Sequence, residues 1–270
     1  MKLFKLWFKE QKENFGLIWK LNLYDFKSQY ARHYLGILWI FLMPLLQILV
    51  LWMVFGLGIR GLREDVDEVP FIVYLMTGIF GFRFITGCIT GGSSAILSKA
   101  GLLTKMQFPS SVLISIKIMN EVITLLLVTI IVFVVSIYNG YTPWFTYFGL
   151  IYFIIATVAF TYGVALILSA MIVIVRDIKN LLANVMRLFF FMTPVFWSLN
   201  SATPLMEVIS AYNPFTFLLM TYRAAFIFED MYIYGGASNH IYFWTLTAFI
   251  FYVGLHVHYK FRDRFVDYMR

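Results

Sequence analysis

Apolar residues occupy this chain in long blocks separated by short polar joints. The blocks at 36–58, 71–97, 109–137, 181–199 and 239–259, and a core of about 150–172 inside 144–175, are each near or above the roughly 20 residues that cross a bilayer core of about 30 Å. They predict six transmembrane helices. A further apolar stretch, 205–228, is interrupted by "AYNPFTF", where Asn213 and Pro214 break helical hydrogen bonding near its middle. Ahead of the first block, Phe4, Trp7, Phe8, Phe15, Ile18, Trp19, Phe26 and Tyr30 recur at roughly helical spacing with lysines between them. That pattern predicts a basic amphipathic helix lying in the membrane interface over 1–33, broken near Gly16. With no small-residue cleavage site in this lead, the first block itself is expected to act as the insertion signal.

Charge then decides between six crossings and seven. Cytoplasmic flanks collect Lys and Arg. Basic residues gather in the lead (Lys2, Lys5, Lys9, Lys12, Lys20, Lys27 and Arg32), in the 98–108 joint (Lys99, Lys105), in the 176–180 joint (Arg176, Lys179) and in the tail (Lys260, Arg262, Arg264, Arg270). The 59–70 joint is acidic through Glu64, Asp65, Asp67 and Glu68. Six spans with both termini cytoplasmic keep every basic cluster on one side, and a seventh would expel the basic tail. Residues 205–229 then become a re-entrant hairpin dipping in from the outer face before the last span, which requires protein or a wet cavity around its freed backbone groups.

Composition agrees: 61% of residues are hydrophobic, only 13% are charged and mean hydropathy is +0.81, where about 25% charged is usual in soluble domains. This is an all-α polytopic membrane protein. Its net charge of +7 therefore reads as topology and not as affinity for nucleic acid. The single cysteine, Cys88, excludes an intrachain disulfide and a metal-ligating cysteine cluster. No G-x-x-x-x-G-K-[ST] run exists to cradle a triphosphate. His33, His240, His256 and His258 stand near predicted span ends, without metal spacing, and no catalytic constellation is visible.

Four charges fall inside predicted spans: Arg83, Lys117, Glu121 and Arg187. Ionisable groups at that depth cost a few kcal/mol and face a partner or a wet cavity. Lys117 and Glu121 are four apart and predict a mutual ion pair. Arg83 and Arg187 have no acid within one turn, so they are candidates either for an inter-helix pair or for a path used by an anionic group. Gly87 and Gly91 form a G-x-x-x-G pair suited to close helix packing, within the chain or with a second copy. The aromatic run "RLFFFMTPVFW" offers Phe190 and Trp197 as surfaces for sugar rings.

Several segments resemble ABC-2-type exporter permeases: "LYDFKSQYARHYLGILWIFLMPLLQILV" (23–50), "LLTKMQFPSSVL" (102–113), "VRDIKNLL" (175–182) with "FFFMTPVFW" (189–197), and "YNPFTFLLMTYR" (212–223). The motifs stand in the family's order across nearly the whole chain, which then forms one transmembrane domain over 1–270. In size it most resembles the wall teichoic acid branch, with O-antigen and capsule exporters as near neighbours. The resemblance implies that 98–109 is a cytoplasmic coupling helix docking into a separate ATPase subunit. Lys99, Leu102, Leu103, Lys105, Met106, Phe108 and Pro109 would form its contact. It further implies two copies of this chain, two ATPase subunits that bind ATP and Mg, membrane lipid, and an undecaprenyl-diphosphate-linked polymer as cargo in the plasma membrane. Arg83, Arg187, Phe190 and Trp197 would then line the path, and Asn213, Pro214 and Arg223 would form an outer gate. An ATP-independent secondary transporter remains the other class, although only one broken element is visible where such folds usually show two.

Overall fold

A computed structural model describes residues 2–31, 33–55, 65–66, 69–105, 108–141, 148–227 and 234–269. Two helices build the lead, α1 (Lys2–Glu13) and α2 (Phe15–Ala31). A 3-10 turn, Gly36–Leu38, runs into α3 (Trp39–Phe55). A two-residue antiparallel pair, β1 (Asp65–Val66) and β2 (Val69–Pro70), then feeds α4 (Phe71–Ser98). The short α5 (Ala100–Lys105) joins α4 to α6 (Ser110–Tyr138), and α7 (Phe148–Ile174) follows. After α8 (Ile178–Met192) come α9 (Pro204–Tyr212), α10 (Pro214–Ile227), α11 (Ala237–Phe261) and the terminal α12 (Phe265–Met269).

Among the described residues, five helical stretches are long and apolar enough to cross a membrane: Gly36–Val54, Phe71–Ser98, Ser110–Tyr138, Phe148–Ile174 and Ala237–Arg264. Their bounds agree with five of the predicted blocks to within a few residues. The block at 181–199 behaves differently. Its helix α8 has 15 residues, about 22 Å at 1.5 Å per residue, and ends before Thr193-Pro194. Thr193 is extended (φ −96°, ψ 142°), because the residue ahead of a proline is pushed out of the helical region. The expected break in the lead also moves, from Gly16 to Asn14. There the side-chain amide of Asn14 donates to the Glu10 carbonyl (2.8 Å) and its own carbonyl starts α2 by accepting from Ile18 (2.8 Å). The break at Asn213 falls where the sequence places it, between α9 and α10; residues 228–229 of the predicted outer element lie outside the described residues.

Helix α4 is the mast of the fold. Of its most apolar window, 78% is buried inside the protein, against 17% for α3. It packs on α6, α7, α10, α3 and α8. Lipid offers apolar side chains no disadvantage, so close van der Waals packing and interhelical hydrogen bonds must hold such helices together. The α7–α11 pair meets this need through facing glycines: a Cβ at Gly163 would press on the Phe251 backbone, and one at Gly254 on the Gly163 carbonyl. Aromatic rings fill the remaining space between α7, α10 and α11, with Phe217 stacked on Phe243 (4.5 Å) and Phe153 against Tyr222 (4.8 Å).

Of the lead only α1 is amphipathic, while α2 distributes its apolar residues around the helix; both are clamped. Glu10 is 8% exposed. Its carboxylate accepts from Ser111 Oγ (2.6 Å) on α6, Tyr259 Oη (2.8 Å) on α11 and Arg262 Nη1 (2.6 Å) just beyond it. Trp7 Nε1 donates to Tyr162 Oη (3.0 Å) on α7, and Asn22 Nδ2 to the Ile116 carbonyl (3.0 Å) on α6. Through these contacts α1 and α2 are tied to three of the long helices.

Candidate functional site

Along its length α4 leaves one stripe uncovered. Arg83 is exposed, and Thr86, Gly87, Thr90, Gly91 and Ser94 are only half-buried, in a helix whose other faces are closed. These positions repeat every three to four residues and share one face. Opposite them stand α8 and the α2–α6 pair, and between lies a groove made of three adjoining cavities.

The central cavity, of about 620 Å³, is lined by Arg83, Glu121, Arg187 and Phe190 among others. Three of the four predicted path residues thus come together at one place. A cavity of about 580 Å³ adjoins it through Thr90, Glu121 and Ala183 and carries Asp25, Lys99, Lys117 and Lys179. On another side a third, apolar cavity of about 360 Å³ shares Gln47, Phe190 and Phe191, and adds Leu46, Val50 and Phe196. Trp197, the fourth predicted residue, does not line these cavities. Its indole N–H donates to the Phe191 carbonyl (3.2 Å), and its own carbonyl accepts from Tyr74 Oη (2.9 Å).

The acid that sequence spacing could not place beside Arg83 and Arg187 enters their cavity from α6. Glu121 turns toward α4, where a Cβ at Gly87 would collide with its carboxylate. Arg83 lines the same cavity as that carboxylate. The G-x-x-x-G face of α4 therefore receives a carboxylate of the same chain at Gly87. The expected Lys117–Glu121 pair is replaced: Lys117 Nζ lies 3.8 Å from Asp25 Oδ2 on α2, and Lys99 Nζ lies 2.6 Å from Asp25 Oδ1. Helix spacing made Lys117 and Glu121 neighbours, but two different neighbouring helices claim them.

At the predicted coupling segment, Lys99 is the residue that ends α4. Leu102, Leu103 and Phe108 are half-buried against the protein's own core, Leu103 beside Ile96 and Phe265. Pro109 starts α6, Lys105 closes α5, and Met106 lies outside the described residues.

The predicted outer residues converge on the broken end of α8. Asn213 Oδ1 accepts from Phe215 N (3.0 Å), capping α10, and its Nδ2 donates to Thr193 Oγ1 (3.3 Å). Pro214 occupies the first helical position, where its missing N–H matters least. Arg223 is 1% exposed. Its guanidinium donates to the carbonyls of Pro194 (3.0 Å), Val195 (3.2 Å) and Tyr74 (3.2 Å) and lies 3.6 Å from the Tyr74 ring centroid. Two carbonyls of the irregular segment after α8 are thereby satisfied inside the protein.

Residues 17–227 match the ABC-2 type transporter family, most of the chain's length. The chain belongs to that family. Its relatives include the O-antigen export system permease protein RfbA of Myxococcus xanthus, 30% identical over 215 residues, covering 78% of this chain and 80% of the relative. A protein of the same description from Klebsiella pneumoniae is 26% identical over 258 residues, covering 94% and 95%. The groove residues Asp25, Arg83, Glu121 and Arg187 all lie within the matched segment.

The stripe has a sequence signal of its own: Thr86, Thr90, Ser94 and Ser98 recur every fourth residue in an apolar span. Asp25 gave no such signal, since its lysines are remote in sequence.

Proposed function

We propose that this chain is the membrane permease of an ATP-driven exporter moving a lipid-linked polysaccharide of the O-antigen kind. Transport runs from the cytoplasmic to the outer face of the plasma membrane. The observation that carries this reading is the groove along α4, with a polar cationic end, Arg83 and Arg187 midway, and an aromatic end at Phe190, Phe191 and Phe196. Cations suit a phosphate-linked headgroup, and aromatic faces suit sugar rings. The names of the relatives support the polysaccharide class.

In this reading two copies of the chain enclose the path, and two separate ATPase subunits hold ATP and Mg. Each ATPase docks on α5, so that nucleotide-driven closure moves α5 and shifts the helices between two packed states. Both termini are cytoplasmic. Helix α8 makes the fifth of six crossings, and α9 and α10 form the re-entrant outer element, latched by Arg223. A polyol-phosphate polymer such as wall teichoic acid is a second reading, favoured by the groove's excess of cations (Arg83, Lys99, Lys117, Lys179 and Arg187) over acids (Asp25 and Glu121). An ATP-independent transporter is the weaker reading, because the relatives are named as export-system permeases.

The test is polymer export in cells carrying the paired Arg83→Gln/Arg187→Gln variant. Loss of two path cations should lower export on the order of tenfold or more, with the amount of folded protein and of co-purified ATPase unchanged. Unchanged export would remove the groove from the path. Supplying O-antigen-type and polyol-phosphate cargoes in turn distinguishes the two substrates.

A further inference from the structure

Asp25 stands where four elements converge: α2, which carries it; the α4–α5 junction, through Lys99; α6, through Lys117; and the start of α8, through Lys179, across a cavity of about 580 Å³. It is 9% exposed. Its bonding is uneven. Oδ1 accepts from Lys99 Nζ at 2.6 Å, whereas Oδ2 is buried without a hydrogen-bond donor, 3.8 Å from Lys117 Nζ. One carboxylate thus faces three lysines, and half of its acceptor capacity is unused. The remaining wall offers Ser94 and Asn120, polar groups able to donate to an oxyanion.

We propose that Asp25 is a resident substitute for the ligand's phosphate. A phosphate or diphosphate ester entering this cavity competes with Asp25 for Lys99 and Lys117 and displaces it. Such an anion carries more charge and more acceptor oxygens than a carboxylate, so it meets the lysine set better. The displacement has a mechanical consequence. Asp25 ties α2 to Lys99, which ends α4, and α5 begins at the next residue. An occupied cavity therefore frees α2 from the α4–α5 junction and reports occupancy to α5. This rests on the exporter reading only for what α5 contacts; the competition at the lysines stands or falls by itself.

The full chain in lipid nanodiscs, carrying Lys27→Cys with a spin label on α2, provides the test. Lys27 is exposed, and the native Cys88 is buried. Two probes are titrated: inorganic pyrophosphate, and nanodiscs doped with a polyprenyl diphosphate. Label mobility on α2 should rise on saturation. Asp25→Asn should bind the probe about tenfold more tightly, because a like charge has left the site, and its label should be mobile before any ligand is added. Lys117→Gln should bind more weakly. If pyrophosphate alone gives these effects, the phosphate group suffices. If only the doped nanodiscs do, the lipid must present it. Either result supports the competition. Binding that is unchanged or weaker in Asp25→Asn overturns it, as does a wild-type label that stays immobile with both probes. That wild-type readout decides the matter even if the Asp25 variant does not fold. Export can fail in cells while this competition holds, so the two readings fail separately.

Discussion

A single guanidinium ties the broken end of α8 to α4 and α10. Arg223 gathers the carbonyls of Tyr74, Pro194 and Val195, which come from two segments more than a hundred residues apart. Arg223→Met should destabilise the protein by about 3 kcal/mol or more, since several buried acceptors lose their donor together. Arg223→Lys should rescue little, because a point ammonium cannot reproduce the planar fork; thermal unfolding in detergent measures both. A second residue-scale prediction concerns Gly87. Gly87→Val drives its side chain into the Glu121 carboxylate, and this loss should largely vanish in a Glu121→Ala background. A double-mutant cycle should return a coupling of about 1–2 kcal/mol. Additive losses would mean that Gly87 serves some other contact. Sequence made Arg83, Glu121 and Arg187 conspicuous by their depth, yet it could not pair them. They stand on three different helices around one cavity, and depth in a span carries no information about azimuth.

At the scale of elements, the helices were largely legible, because hydrophobic blocks, prolines and caps act locally. The exception is α8. Apolarity continued through 189–197, but Thr193-Pro194 ended the helix all the same. The lead was legible as helical, whereas its attachment through Glu10 was not: Arg262 is 252 residues away. For α5 the fold sharpens the coupling test. Leu102 and Leu103 lean on the protein's own core, so polar substitutions there would weaken the fold along with any docking. At Gly101 an added side chain would meet open space. Gly101→Trp should therefore leave thermal stability within about 1 kcal/mol of wild type, as exposed positions usually do. ATPase co-purification should nevertheless fall severalfold. Retention of the full complement of ATPase would move the docking face away from α5.

On the scale of the molecule, the arrangement makes a prediction about sidedness. The lead, the Lys99 junction and Lys179 should share the cytoplasmic side, and α9, with Leu205 70% exposed, should face outward. In intact cells an impermeant maleimide should label Leu205→Cys but not Lys27→Cys, and permeabilised cells should label both. Native Cys88 is buried and adds no background. The reverse labelling would invert the whole topology. The same groove also explains why so apolar a chain tolerates charge at depth: Arg83 and Arg187 line one cavity with Glu121.

The sequence by itself determined the membrane class, the long helices and the break at Asn213. Each of these follows from local composition, and the resemblance to ABC-2-type permeases, which implied the short helix between α4 and α6, rested on local motifs too. Only the tertiary structure decided which polar groups meet: Asp25 with Lys99 and Lys117, Glu10 with Arg262, and Arg223 with the broken end of α8. Those partners are brought together by helix rotation and packing. Each helix chooses its rotation from all its neighbours at once, which no local window of sequence contains.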